Sequence, residues 1–360
     1  MRGAAGTTRR KKIGFAGCAA ALMLLIAVAG GEIVVRLLGF KPFNPTPPKI
    51  QVEPGGKFFT LKPAGGYTQL PGKFKVTLAT GYSFTVTHGT NALRITHPPT
   101  PPGEPRKKEI WLMGCSLTHG WSLNDEDTYP WLVQQQFPEY EVVNCGIEGY
   151  GTLQTRLQFQ ELLEQRGKPE IVVLAYGTFH DFRNTFIRIR QKAIAPLNRL
   201  GPMQQPYARF NRQGGLDYLM APVVYREWPL MRYSALVNFF EDRYDAWEAR
   251  RARSEWISAE LILRFAHYCR EQGIQFVLAG ISSDSGGMLE FCRERGVEVV
   301  NISVVLAEPG NTNLPHDNHP SAKANRVYAE RLTDCLRAVV ARLSHTPSAP
   351  NGSPVAAVTP

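Results

Sequence analysis

The sequence predicts an α/β fold with a five-stranded parallel sheet covered on both faces, preceded by one long apolar helix. Three observations predict it. Between residues 109 and 342, five short apolar runs alternate with longer stretches of helical periodicity. The runs are apolar throughout instead of alternating, which is how strands buried on both faces read. Near the start of the chain, 19 residues from Ile13 to Gly31 carry no charge. That is about 28 Å of helix, close to the hydrocarbon thickness of a bilayer.

Residues 1–40 read as a cytoplasmic basic tip followed by a transmembrane signal-anchor helix. Arg2, Arg9, Arg10, Lys11 and Lys12 precede the apolar run, and positive charge on that side argues for a translocated C-terminal part. Ala27-Val28-Ala29 would suit a signal peptidase. The continuation of helical spacing through Val34, Val35, Leu37 and Leu38 favours a retained anchor. The same basic cluster supplies five charges of the chain's net +10. No zinc finger, RNA-recognition signature or aromatic-interleaved basic helix accompanies it, so no nucleic-acid partner is expected.

Residues 41–106 are rich in Pro and Gly, with alternating stretches at Lys73 to Leu78 and Tyr82 to Thr87. They read as a β-decorated linker holding the following domain off the membrane. The run PPTPPGEP, 98–105, reads as a stiff boundary. A domain over 107–342 then shows strands near 109–115, 140–145, 171–176, 275–281 and 298–302. Helices are expected near 130–137, 152–166, 258–272, 286–295 and 320–342. Residues 182–253 interrupt the rhythm as an insertion. From Arg183 to Arg232 it carries nine Lys or Arg and two acidic residues, interleaved with aromatics. Leaving after the third strand, it would sit at the carboxyl edge of the sheet as a lid or as a packing layer. The tail, 343–360, has the Ser, Pro and Ala content of a disordered segment. Six cysteines show no metal or disulfide spacing, and mostly buried free thiols are expected.

The chemistry is expected where EIWLMGCSLTHG, 109–120, ends an apolar run in a small-residue turn carrying Ser116. A serine hydroxyl needs a base within hydrogen-bond reach to become a nucleophile. In HDNHPSAKA, 316–324, Pro320 biases His319 toward an extended conformation, so Asp317 and His319, two apart, share a face. Ser, Asp, His in this order is one of the arrangements that build an acyl-transfer triad. Gly146, Gly149 and Gly151 have the wrong spacing for a dinucleotide loop, and no metal-ligand set completes around His316 to His319. No cofactor or metal is implied. Asp125 to Asp127 are expected to favour the start of the helix near 130.

Gly114-Cys115-Ser116-Leu117-Thr118 resembles the first block of the SGNH, or GDSL-like, hydrolase family. Asp317-Asn318-His319-Pro320-Ser321 resembles its last. Asn144-Cys145-Gly146-Ile147-Glu148-Gly149 resembles the second block, and Tyr176-Gly177-Thr178-Phe179-His180-Asp181 the third. Cys115 stands where the family has Asp, and His180 where it has Asn. The resemblance implies a flavodoxin-like three-layer α/β/α sandwich and a catalytic triad of Ser116, Asp317 and His319. It also implies an oxyanion hole from the N–H groups of Ser116 and Gly149 and the ring of His180. The expected activity is a membrane-anchored, periplasmic serine esterase or acyltransferase, acting on an ester or acylated glycan of the cell envelope. A lipid esterase is the nearest enzymatic alternative. A catalytically inactive binding or scaffold protein of an envelope polysaccharide system is the alternative from another class. The resemblance would also bring Cys115 and Cys145 to the ends of neighbouring strands.

Overall fold

The computed structural model describes residues 4–45, 49–98 and 105–345, with side chains from Phe15 onward. Most of the Pro-rich boundary expected at 98–105 and the tail beyond His345 lie outside the described residues.

The chain begins with α1 (Ala4–Leu37). Its segment Phe15–Leu37, 23 residues with mean hydropathy 2.3, is long and apolar enough to cross a membrane, and little of it is buried against the protein. Where α1 does meet the protein, it is clamped. The Glu32 carboxylate accepts from Ser234 Oγ at 2.6 Å and from the N–H groups of Ala235 and Leu236, both at 2.9 Å. Those donors open the helix 235–251, so Glu32 satisfies orphan N–H groups and complements that helix's dipole. Arg36 holds the same carboxylate, and Phe40 meets Phe239 edge to face.

Next come β1 (Gln51–Glu53), the hairpin β2 (Phe59–Lys62) and β3 (Gly66–Gln69), β4 (Gly72–Thr77) and β5 (Ser83–His88). Strands β1, β4 and β5 form an antiparallel sheet in that order. Period-two alternation turns Phe74, Val76, Phe84 and Val86 inward onto Phe58, making a small core of its own. The described part of this segment also packs directly on the main sheet. Arg94, fully buried, donates to Asp125 Oδ1, His119 O, Gly120 O and Leu123 O. It also bridges His88 to Asn144 of the main sheet. A buried guanidinium has to be fully hydrogen-bonded, and here its acceptors tie the two parts together.

The main sheet is built from β6 (Lys108–Gly114), β7 (Tyr140–Gly146), β8 (Ile171–Tyr176), β11 (Gln275–Gly280) and β12 (Glu298–Asn301). All five strands run parallel, in the order β12-β11-β8-β6-β7. Taken by chain position this is 2-1-3-4-5, the flavodoxin-like doubly wound order. Alternate residues feed opposite faces. Trp111, Met113, Val172, Leu174 and Leu278 pack on α4 (Thr152–Arg166), α8 (Ser254–Glu271) and α9 (Gly286–Arg293) through Phe159, Phe265 and Leu289. Ile110, Leu112, Val173, Val277 and Ala279 pack on α3 (Tyr129–Gln136) and α10 (Ala322–His345) through Val133, Tyr328 and Leu332. These elements sit close to the expected ranges, and α10 runs three residues past Arg342. Thr128 caps α3, accepting from Trp131 N–H. Asp125, expected to favour that helix start, instead holds Arg94.

Between β8 and α8 the chain forms α5 (Phe179–Arg183), α6 (Arg188–Ile194), a hairpin of β9 (Gln204–Phe210) and β10 (Leu216–Pro222), and α7 (Ala235–Arg251). At the carboxyl end of β6, directly after the strand, runs the short one-turn helix α2 (Ser116–His119). All six cysteines are free, with Cys115 and Cys145 buried on opposite faces of the sheet.

Phe159 joins both sides of one layer, 5.7 Å from Trp111 and 4.8 Å from Phe265 between ring centroids. Phe159→Ala is expected to lower unfolding stability by about 3–5 kcal/mol in urea titration. A change below about 1 kcal/mol would contradict this packing.

Candidate active site

Strand β6 stops at Gly114 because nothing larger fits. A Cβ there would meet Thr118 Oγ1 at 2.2 Å. The chain turns through an extended Cys115 (φ −110°) into α2, which places Ser116 at the first helical position, where N–H groups have no acceptor within the helix. The site thus lies beyond the carboxyl end of β6, beside the place where strand order reverses.

The second contribution comes from the loop before α10. Asp317 Oδ1 accepts from the backbone N–H of His319 at 2.7 Å and lies 2.6 Å from its Nδ1. His319 Nε2 lies 3.1 Å from Ser116 Oγ. Residues 203 positions apart therefore meet in one file of hydrogen bonds. Asp317 also takes a long contact from Ser122 Oγ at 3.4 Å, and Asn313 donates to Ser122 O and Oγ, bracing the loop. Half-burial pushes the Asp317 carboxyl up, but the hydrogen bonds and charge of His319 outweigh it and hold it below the ordinary carboxylate value. An ionised Asp317 fixes the Nδ1–H tautomer and leaves Nε2 to accept from the serine hydroxyl.

Solved structures similar to this chain include GDSL-type esterases and lipases. A psychrotrophic esterase from Pseudoalteromonas is 12% identical, with TM-score 0.38, covering 65% of this chain and 100% of its own. A GDSL-like lipase from Bacteroides thetaiotaomicron is 14% identical, with TM-score 0.35, covering 64% and 89%. A two-domain esterase active on acetylated mannans is 13% identical, with TM-score 0.35, covering 70% and 54%. No family model matches the chain, and no curated protein matches it.

The loop after β7 completes the site. Gly149 is left-handed, φ +74°, and a Cβ there would meet the Tyr67 hydroxyl at 2.5 Å, so only glycine fits. Tyr67 donates to Glu148 O at 2.7 Å. That carbonyl shares a peptide plane with the Gly149 N–H, and in a trans peptide the two point in opposite directions. Holding the carbonyl therefore aims the N–H.

Below the loop runs a buried chain. Glu148 Oε1 lies 2.7 Å from His119 Nδ1, and Gln69 donates to Glu148 Oε2 at 2.5 Å. His119 Nε2 lies 2.9 Å from His88 Nε2, and His88 Nδ1 lies 2.7 Å from Leu70 O. Burial alone would raise the Glu148 carboxyl, but the contact and charge of His119 and the bond from Gln69 win, holding it at about 2. Burial, the largest effect on the His119 ring, pushes its pKa below the ordinary imidazole value. None of His119, Glu148, Tyr67, His88 and Arg94 was among the candidate site residues read from the sequence. A glutamate inside the small, apolar turn CGIEGYG was the available signal for Glu148.

His180, expected as the third oxyanion donor, is not at the cavity. Its ring is fully buried against Tyr176 and Phe179, and its Nδ1 faces Thr152 Oγ1 at 3.3 Å. The residue sits one place later than the family spacing, on the inner face of α5. Burial pushes its pKa well below the ordinary value, leaving a neutral ring. His316 stacks on Tyr82 and makes no contact with Ser116 or His319 among the described residues.

A cavity of about 420 Å³ opens over Ser116 and His319. Tyr67 and Phe59 line it from the β-rich part, Trp121 and Gly149 from the main sheet's loops, and Phe182, Arg183, Arg190 and Leu197 from the insertion. Trp121 lines the cavity, while Tyr150 is buried, its hydroxyl donating to Tyr67 O.

Burial, then the His119 charge, lowers the His88 pKa from 6.5 to about 3. A depressed folded pKa means that stability is full above 6.5 and falls as the unfolded chain takes up a proton the folded one refuses. Urea midpoints are expected to drop between pH 6.5 and 4.5, His88 contributing at most about 1.4 kcal/mol per pH unit. His88→Gln should flatten that slope.

Proposed function

We propose that this chain is a serine ester hydrolase in which Ser116 is the nucleophile, His319 the general base and Asp317 the residue that orients and stabilises the imidazolium. The observation that carries the reading is the unbroken file from Asp317 Oδ1 through both nitrogens of His319 to Ser116 Oγ, open to a cavity of ligand size.

Ser116 Oγ attacks the acyl carbon while its proton passes to His319 Nε2. The ester carbonyl oxygen becomes an oxyanion, met by the N–H groups of Ser116 and Gly149. Such preset donors, which need no reorganisation as charge develops, supply the largest electrostatic share of catalysis in sites of this kind. Collapse expels the alcohol, which takes the proton back from His319, and leaves an acyl-serine. Water, or a sugar hydroxyl if the enzyme is a transferase, then attacks with His319 again as base.

The substrate class we favour is an acyl ester, such as an O-acetyl group, on a cell-envelope polysaccharide. The basic cluster ahead of the apolar run of α1 supports an N-terminal membrane anchor with the rest of the chain on the extracytoplasmic side.

A fluorophosphonate probe is expected to label the wild type and not Ser116→Ala, and His319→Ala should slow hydrolysis of p-nitrophenyl acetate by about 10³-fold or more. Equal labelling of the wild type and Ser116→Ala would defeat the reading. Tyr67→Phe removes one hydroxyl from behind the Gly149 N–H. It should lower kcat roughly tenfold with little change in KM, and an unchanged kcat would remove Tyr67 from that role.

A further inference from the structure

The wall of the cavity contributed by the insertion carries two guanidinium groups. Arg190 is 2% exposed. Its Nη1 donates to Gly149 O at 2.9 Å and its Nη2 to Gln154 Oε1 at 2.8 Å and Gln205 Oε1 at 3.4 Å, all neutral acceptors. Its Nε is buried with no partner among the described residues. Arg183 donates to Tyr150 O at 3.1 Å and lies over the Phe179 ring at 4.6 Å. Among the described residues neither forms an ion pair with a carboxylate. The one acid lining the cavity, Glu148, is already committed to His119 and Gln69.

A buried cation without a counter-anion is costly, and folds rarely keep one unless something outside the chain supplies the missing charge. Burial lowers the Arg190 pKa only to about 10, so it stays charged at neutral pH. The surrounding insertion has nine basic and two acidic residues from Arg183 to Arg232, a field that draws anions toward the same mouth.

We propose that the ester cleaved at Ser116 belongs to a substrate bearing its own anionic oxygen group, a carboxylate or a phosphate, which Arg190 and Arg183 take while the acyl carbon lies at Ser116. This rests on the nucleophile reading above. The planar guanidinium presents donors that match two oxygens of either anion. The insertion is then the part of the chain that selects the substrate, while the sheet's loops carry out the chemistry.

The test uses the full-length protein in detergent with three acetylated monosaccharides: a methyl glucuronide, a sugar phosphate and a neutral methyl glucoside. Wild type is expected to prefer one of the anionic esters by about tenfold or more in kcat/KM, and which one tells carboxylate from phosphate. Arg183→Gln, at a half-exposed position, should raise KM for that ester roughly tenfold more than for the neutral one. Arg190→Lys should do the same, the charge being kept but the fork lost. Equal losses on all three esters, expressed in kcat, would overturn the proposal and place the arginines at the oxyanion or in the scaffold. Absence of any preference in the wild type would also overturn it. If no ester is hydrolysed at all, the nucleophile reading fails separately. The anion site is then judged by calorimetry of methyl glucuronide and of the sugar phosphate. Binding lost in Arg183→Gln supports it, and no binding to wild type overturns it.

Discussion

The peptide between Glu148 and Gly149 is where the parts of this protein meet. Its carbonyl is held by Tyr67, the side chain ahead of it by His119 and Gln69, and the carbonyl after it by Arg190. Four side chains from three separate segments, β3, α2 and α6, thus constrain one short turn. A turn closed by a left-handed glycine would otherwise be among the softer places in the chain. Its stiffness comes from these contacts and not from the turn itself.

Two kinds of interior follow from this. The sheet with its helices is held by apolar packing, in which many substitutions of similar volume would serve. The region between the β-rich segment and the sheet is polar, with Arg94, Asp125, His119 and His88 buried together and the partly exposed Glu148 beside them. Polar groups in such surroundings cost several times their surface value if any partner is missing. That interior therefore tolerates little change, and it makes the β-rich segment a structural part of the site.

The sequence made the sheet legible because its strands are buried on both faces and read as unbroken apolar runs. Ser116, Asp317 and His319 were legible because each lies in a short motif whose local geometry is set by its neighbours, Gly114 and Pro320. Tyr67, His88 and Arg190 were not. Their roles exist through contacts 31 to 81 residues away, and no local period signals such a contact. The Pro and Gly content of residues 41–106 describes tight turns as well as it describes a linker, so composition alone pointed to a spacer. His180 was misplaced because one additional residue after Gly177 turns the side chain from the cavity to the interior.

The clamp at Glu32 has a mechanical consequence. A helix joined to its domain by a slack tether lets the domain swivel, and the height of the mouth becomes an average over many poses. Here the carboxylate is pinned at the head of α7, and Phe40 against Phe239 blocks rotation about that point. Rolling α1 about its own axis would carry the opening round with it like a lamp on a fixed bracket. Whatever layer holds the helix, the site faces one bearing at one standoff, and material must come to it at that level.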